Sequence, residues 1–432
     1  MENENGKQIL GAKDLLADGI EYGSHTVERS QQSLIRRIFS VVGHVTGRRA
    51  EMAPYEELTR LILSLNHGNV RLISRLVSRV LSATHHVAGP ALLNSKRIRE
   101  PIAMRSDIIG SPSWIWDGFL GLVNGMVGDH LYATENSLAT QMSLRYGERR
   151  LELSAEMLAR TFGTKPPPFC IFIHGLGTTE WSWAWDAEAQ QGSPDTTYGS
   201  LLENELQFAP LYLRYNTGRH ISDNGQELAN LLQRLHDTSP AGINDLVLIG
   251  HSMGGLVAHS AAHYGHRAGH EWTQNLRQVI SIAAPHDGAP LEKIGNIATY
   301  LLGAIDTPGT RIPAEMIDAR SAGIKDLRHG YIVEEDWYGN DPDLPLNDTR
   351  THAQWVAGVH YHRIVSTLTN DPAHPIGRVV GDALVRPKSA AAAHPKHGAK
   401  NSMGDVVEMG GISHIGLANH PRVYEQLRAW LS

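Results

Sequence analysis

The sequence predicts an α/β fold built on a mostly parallel, doubly wound sheet, and three observations carry that expectation. Short apolar runs of strand length alternate with helical stretches through the second half of the chain. One run, residues 246–249, passes straight into Gly250-His251-Ser252-Met253-Gly254 and then into a helical segment opening Leu256-Val257-Ala258. A second, residues 169–173, ends in His174-Gly175-Leu176-Gly177. Runs that are apolar at every position, not at alternate ones, suit strands buried on both faces.

The elements follow in order. Residues 33–42, 54–65 and 70–81 carry apolar residues at helical spacing, with Arg71, Arg75 and Arg79 stepping along one face, before a break at Gly89-Pro90. A helix over 120–131 is interrupted by glycines. Residues 142–146, the turn Gly147-Glu148 and residues 150–153 read as a hairpin. Further strands are expected over 209–215, 279–283, 362–368 and 405–409, and a last helix over 421–431. Residues 291–343 interrupt the alternation, and an insertion at the carboxyl edge of such a sheet lies where a cap over a ligand site must lie. The expected division is a helical N-terminal accessory region, 1–135, and an α/β domain, 136–432, with the cap insertion at 291–343.

A serine between two glycines on a strand-to-helix turn has its hydroxyl pushed outward by strained backbone angles, so Ser252 is the candidate nucleophile. At neutral pH its hydroxyl needs an imidazole to take the proton and a carboxylate to orient that imidazole. Sought downstream in the order serine, acid, histidine, these roles fall on Asp382 in the loop of residues 378–385 and on His414 just before the last helix. Competitors are His420 for the base, better suited to capping at Pro421, and Asp287 or Asp371 for the acid. The glycine-rich loop after residue 173 supplies backbone amides, so the oxyanion donors are assigned to the N–H groups of Leu176 and Met253. Trp181, Trp183 and Trp185, read as an extended segment, are pocket-lining or packing aromatics, with packing favoured.

Composition narrows the classes. The 432 residues, 41% hydrophobic and 19% charged, are enough for a full core plus an accessory part. No apolar run approaches about eighteen residues, the length of a spanning helix. The first residues, Met1-Glu2-Asn3-Glu4-Asn5, lack the basic and apolar regions of a secretory signal, so a cytoplasmic protein is expected. A single cysteine, Cys170, excludes an internal disulfide. No zinc-type spacing or phosphate loop is visible, so no metal or cofactor is expected, and a net charge of −6 gives no reason to expect nucleic acid. Basic residues nevertheless outnumber acidic ones over about 12–110, which sets docking on an anionic membrane against ordinary packing on the core; packing is preferred.

Five strings together resemble the α/β-hydrolase superfamily, and within it bacterial esterases and lipases that share features with the inositol deacylase (PGAP1-like) and triacylglycerol lipase groups. They are His174 to Gly177, Gly250 to Gly255, Ala284-Pro285-His286-Asp287-Gly288-Ala289-Pro290, Gly381 to Val385, and Ser413-His414-Ile415-Gly416-Leu417. The resemblance covers about residues 140–432 and implies an α/β-hydrolase fold and a carboxylic ester hydrolase acting on a small-molecule ester or lipid. Phospholipase, thioesterase and amidase chemistry would use the same groups, and a non-catalytic scaffold is the alternative of another class. One departure is Ala383, where such proteins often carry glycine; it should tilt the acid loop.

Overall fold

The computed structural model describes residues 113–136, 138–147, 149–289, 321–339, 350, 353, 355–392 and 404–432. The helices expected at 33–42, 54–65 and 70–81, the N-terminal arginines, and most of the insertion at 291–343 lie outside these residues.

Helix α1, Ser113–Ala133, leads into an antiparallel hairpin of β1, Ser143–Tyr146, and β2, Arg149–Arg150. Then follow α2, Ala155–Phe162; β3, Phe169–Ile173; a 3₁₀ turn, Glu180–Ala184; α3, Ala187–Gln191; α4, Tyr198–Leu206; β4, Ala209–Arg214; and α5, Ile221–Thr238. The central unit is β5, Leu246–His251, running into α6, Met253–Arg267, and on to β6, Leu276–Ile282. After it come α7, Ala322–His329; α8, Glu334–Trp337; β7, His360–Thr367; α9, Pro375–Val380; α10, Pro387–Ala390; β8, Val406–Gly410; and α11, Pro421–Leu431. Every strand expected from the sequence forms, with ends shifted by three residues at most.

Among the described residues these strands make one eight-stranded sheet in the order β2-β1-β4-β3-β5-β6-β7-β8. The β2-β1 and β1-β4 pairs are antiparallel, and all others are parallel. β3 and β5 are buried at every position, as their unbroken apolar runs require. One face of the sheet packs Phe172, Val247, Ile249, Ile280 and Ile364 against Trp183, Tyr198, Leu202 and the apolar side of α11. The order reverses around β3: the chain goes outward from β3 to β4, then crosses back to β5. The loops leaving β3 and β5 therefore part at a switch point and open a crevice at the carboxyl edge.

One expectation is corrected here. Glu180–Ala184 is a 3₁₀ turn and not an extended segment, so Trp181 and Trp183 do not share a face by alternation. Trp183 is fully buried, with its ring 5.1 Å from that of Phe172. Trp181 instead donates its indole N–H to Asp117 of α1 at 3.0 Å.

α1 belongs to the same compact unit as the sheet. Buried charge holds it there. Arg214, at the end of β4, makes a bidentate pair with Asp117 at 2.6 and 3.0 Å and also binds Glu180, which in turn pairs with Arg145 of β1 at 2.9 Å. Asp117 and Glu180 are both more than nine-tenths buried, so each needs its cation. Arg214→Met should destabilise the protein by about 3–5 kcal/mol because it strands the buried Asp117 carboxylate and leaves Glu180 with Arg145 alone. Adding Asp117→Asn should recover part of that loss in denaturant unfolding; a single variant as stable as the parent would show that the network carries no stability.

Candidate active site

The site begins with the turn between β5 and α6. Ser252 has φ +55° and ψ −125°, a conformation that costs a non-glycine residue about 1–3 kcal/mol. The surroundings hold it there: its N–H donates to Ile282 O at 2.8 Å, and its carbonyl accepts from Gly255 N at 3.0 Å. The flanking glycines are sterically required. A Cβ on Gly250 would strike the backbone of Gly254, and one on Gly254 would strike the carbonyl of Ile173 in β3. The strand can thus turn abruptly into the helix while the helix stays tight against its neighbour.

The loop after β3 lies beside this turn. A Cβ built on Gly175 would lie 3.1 Å from Ser252 Cβ and 3.6 Å from its Oγ, so the loop backbone runs directly against the serine. His174, at the strand end, is fully buried and its carbonyl accepts from the Tyr215 hydroxyl at 2.7 Å. Its Nδ1 faces Gly175 O at 3.0 Å, and Thr178 Oγ1 donates to that same oxygen at 2.9 Å. Leu176 and Met253, the expected amide donors, are both buried in this region.

From the far side of the sheet come the acid and the histidine. Asp382 and His414 are both buried, and His414 Nδ1 lies 2.8 Å from Asp382 Oδ2. The other carboxylate oxygen accepts from the amides of Leu384 at 3.0 Å and Val385 at 2.8 Å, which fixes the carboxylate plane. The His414 amide also donates to Asp382 O at 3.0 Å. A bond without any local sequence signal joins this pair to the serine turn: His251, immediately before Ser252, donates Nε2–H to His414 O at 2.8 Å. Three segments far apart in sequence thus meet at the carboxyl edge.

The competitors sit elsewhere. His420 is the N-cap of α11, its Nδ1 accepting from Arg422 N at 3.2 Å. Asp371 is exposed, with Oδ1 capping a turn at Ala373 N. Asp287 lies in the turn after β6, its amide donating to Ser389 Oγ at 3.1 Å and its carboxylate 3.8 Å from Arg350.

The described part of the insertion returns to this edge. The amide of Gly323 in α7 donates to Gly218 O at 3.0 Å, and a Cβ there would come within 3.1 Å of Met253 Cε. Asp326, buried, accepts from Ile221 N at 2.7 Å and faces His220 Nδ1 at 3.1 Å, while the His220 ring stacks on Trp337. One wall of the crevice was missed in the sequence: α1 also crosses this edge, and the glycines that seemed to interrupt it are the residues that let it approach. Among the described residues, no three His, Cys, Asp or Glu side chains are placed to hold a metal ion, and no helix is long and apolar enough to cross a membrane.

Residues 170–350 match the model of the PGAP1-like alpha/beta domain. The strand order and the serine turn make the whole sheet an α/β-hydrolase fold. Among solved structures the chain is similar to the lipase BlEst2 of Bacillus licheniformis, 17% identical over 62% of this chain and 92% of that one, with a TM-score of 0.38. It is also similar to a lipase-esterase related protein of Clostridium acetobutylicum, 17% identical over 62% and 95%, TM-score 0.34. A third is the RedJ thioesterase of Streptomyces coelicolor, 14% identical over 61% and 89%, TM-score 0.35. No curated protein matches the chain significantly.

Two consequences concern stability. Burial lowers the pKa of both His174 and His251 to about 3, with the nearby His414 adding to the effect on His251. Below about 6.5 the unfolded chain protonates these imidazoles and the folded one does not, so stability is present above 6.5 and lost as the pH falls toward 3. The loss is on the order of 1.4 kcal/mol per pH unit for each histidine. Thermal unfolding at pH 7 and pH 5 should show it, and His251→Asn should flatten the dependence; no flattening would mean that His251 is not a buried neutral group.

Ala383 has φ +91°, a region open to glycine and strained for alanine, so the departure noted in the sequence is a strained residue beside Asp382. Ala383→Gly should raise stability by about 1 kcal/mol, the relieved strain less the extra chain entropy of glycine. A loss of stability in chemical denaturation would show that the surrounding loop has adapted to alanine.

Proposed function

We propose that this protein is a serine hydrolase that cleaves carboxylic ester bonds of a small-molecule or lipid substrate. The observation that supports this most directly is a strained, glycine-flanked Ser252 whose neighbour His251 is hydrogen-bonded to the backbone of His414, itself buried and paired with Asp382, at the carboxyl edge of an α/β-hydrolase sheet. A positive φ at a serine is maintained against its cost only where the fold over-determines it, which is typical of reacting residues.

The chemistry follows from the groups. With Nδ1–H donated to Asp382, the neutral imidazole of His414 leaves Nε2 as the base. Nε2 takes the Ser252 hydroxyl proton as Oγ bonds to the ester carbonyl carbon. The carbonyl π pair moves to oxygen, and that oxyanion is received by the amides of Leu176 and Met253. When the carbonyl re-forms, the bond to the alkoxy oxygen breaks and that oxygen takes the proton from His414. Water then attacks the acyl-serine through the same base, releasing the acid and restoring Ser252. The described part of the insertion, α7, returns against Met253 and the Thr217 to His220 turn, and there it forms one wall of the pocket as part of a cap.

Ser252→Ala should lower kcat/KM for a nitrophenyl ester by about 10³–10⁶-fold without loss of fold. His414→Ala should match it, and Asp382→Asn should be comparable or milder. An acyl series from acetate to palmitate would define the pocket length. Fluorophosphonate should label Ser252, as read by peptide mass. A Ser252→Ala variant that keeps a tenth of the activity would remove Ser252 from the mechanism.

A further inference from the structure

Helix α1 precedes residues 170–350, yet it packs on the loop assigned to the oxyanion. A Cβ on Gly125 would stand 2.7 Å from Gly177 Cα, 3.0 Å from Gly177 N and 3.4 Å from Thr217 Oγ1. A Cβ on Gly121, one turn earlier, would stand 2.9 Å from Thr178 O. From the other side, Thr217 Oγ1 accepts the Gly177 N–H at 3.0 Å. Thr217 is itself held in a turn fixed to the same helix: Asn216 donates its side-chain amide to Gly128 O at 2.8 Å and accepts from Gly218 N at 3.0 Å. Ser321, at the start of α7, donates to Gly125 O at 2.7 Å and closes the assembly.

The geometry bears on one amide. The Leu176 N–H belongs to the peptide plane between residues 175 and 176. In a trans peptide the N–H points opposite to the C=O, and the Gly175 carbonyl is engaged by Thr178. The preceding plane is pinned at its oxygen by the Tyr215 hydroxyl, and the following plane is pinned at its N–H by Thr217. Rotation of the Leu176 amide would require one of these planes to turn, and Gly125 leaves no room behind Gly177 for it to do so.

We infer that Thr217 and Gly125 are positioning residues for the oxyanion hole, holding Gly177 between a hydrogen bond and the bare backbone of α1 so that the Leu176 amide stays aimed at the reacting carbonyl oxygen. Neither residue touches the substrate. The inference rests on the ester-hydrolase reading, and it makes α1 part of the catalytic apparatus instead of an accessory element. Preorganised donors act mainly on the transition state, so loosening them lowers kcat and leaves KM largely unchanged.

The full chain is assayed with a nitrophenyl butyrate. It is also titrated with a trifluoromethyl ketone, whose serine hemiketal places an oxyanion in the hole, and with the matching methyl ketone. Losing one oxyanion donor outright costs about 10²–10³ in kcat, so a misaimed one should cost roughly 10-fold or more. Thr217→Val is expected to lower kcat by about that factor, hold KM, and weaken the trifluoromethyl ketone but not the methyl ketone. Thr217→Ser, which keeps the hydroxyl, should restore both. Gly125→Ala should act in the same direction; where it fails to fold, the Thr217 pair decides alone. Unchanged kcat and analogue affinity in Thr217→Val, or a rise in KM in place of the fall in kcat, would overturn the inference. Retained activity in Ser252→Ala would instead overturn the ester-hydrolase reading and this inference with it.

Discussion

The abrupt passage from β5 into α6 at Ser252 is the constraint on which the other features depend. A residue at φ +55° is held there only if both flanking elements are fixed, and the close packing of Gly250 against Gly254, and of Gly254 against β3, fixes them. The close approach has a second consequence. With the helix pressed on β3, the loop leaving β3 runs beside the serine, and Gly175 meets it without a side chain between. Strain at one residue and the approach of the neighbouring loop are two results of the same packing.

Several buried polar groups around this turn are answered by specific partners, and those partners come from distant segments. His251 reaches the carbonyl of His414, Tyr215 reaches that of His174, and Asp382 receives two amides besides the imidazole. Both His251 and His174 are kept neutral by burial, so they serve as uncharged hydrogen-bonding groups whose state does not change around neutral pH. In a low-dielectric setting each such bond is costly to break, so the network favours one arrangement of the loops over alternatives. Its weakness lies at acid pH, where the unfolded chain gains protons that the folded chain excludes.

The crevice is walled by elements that come before and after the central β5–α6 unit in the sequence. α1 comes before the sheet and is tied to β4 and the 3₁₀ turn through Asp117, Arg214 and Glu180. α7 comes back from the insertion and docks on the Thr217 to His220 turn. The turn after β4 therefore serves as a common anchor for α1, for α7 and for the loop after β3, which explains why so many of its backbone groups are buried and bonded.

Local pattern marked the central strands, since residues 169–173 and 246–249 are apolar at every position, and their short length and flanking glycines set them apart from helices. It also singled out Ser252, whose neighbours Gly250 and Gly254 are needed for a purely steric reason, and it pointed to Asp382 and His414, which the structure places after α9 and after β8. Ala383 was legible as a departure, although its positive φ was not. The tertiary structure alone decided the rest. Trp183 went to the core because a 3₁₀ turn, not an extended segment, carries it, and backbone hydrogen bonding over so few residues leaves no periodic signal to read. The glycines of α1 read in sequence as interruptions, because a missing side chain has meaning only when the backbone that fills its place is known. Thr217 and His251 were silent for the same reason: a hydrogen bond between residues 40 or 163 positions apart is set by how the strands are ordered in the sheet, and that order is fixed by long-range packing that no local stretch of sequence contains.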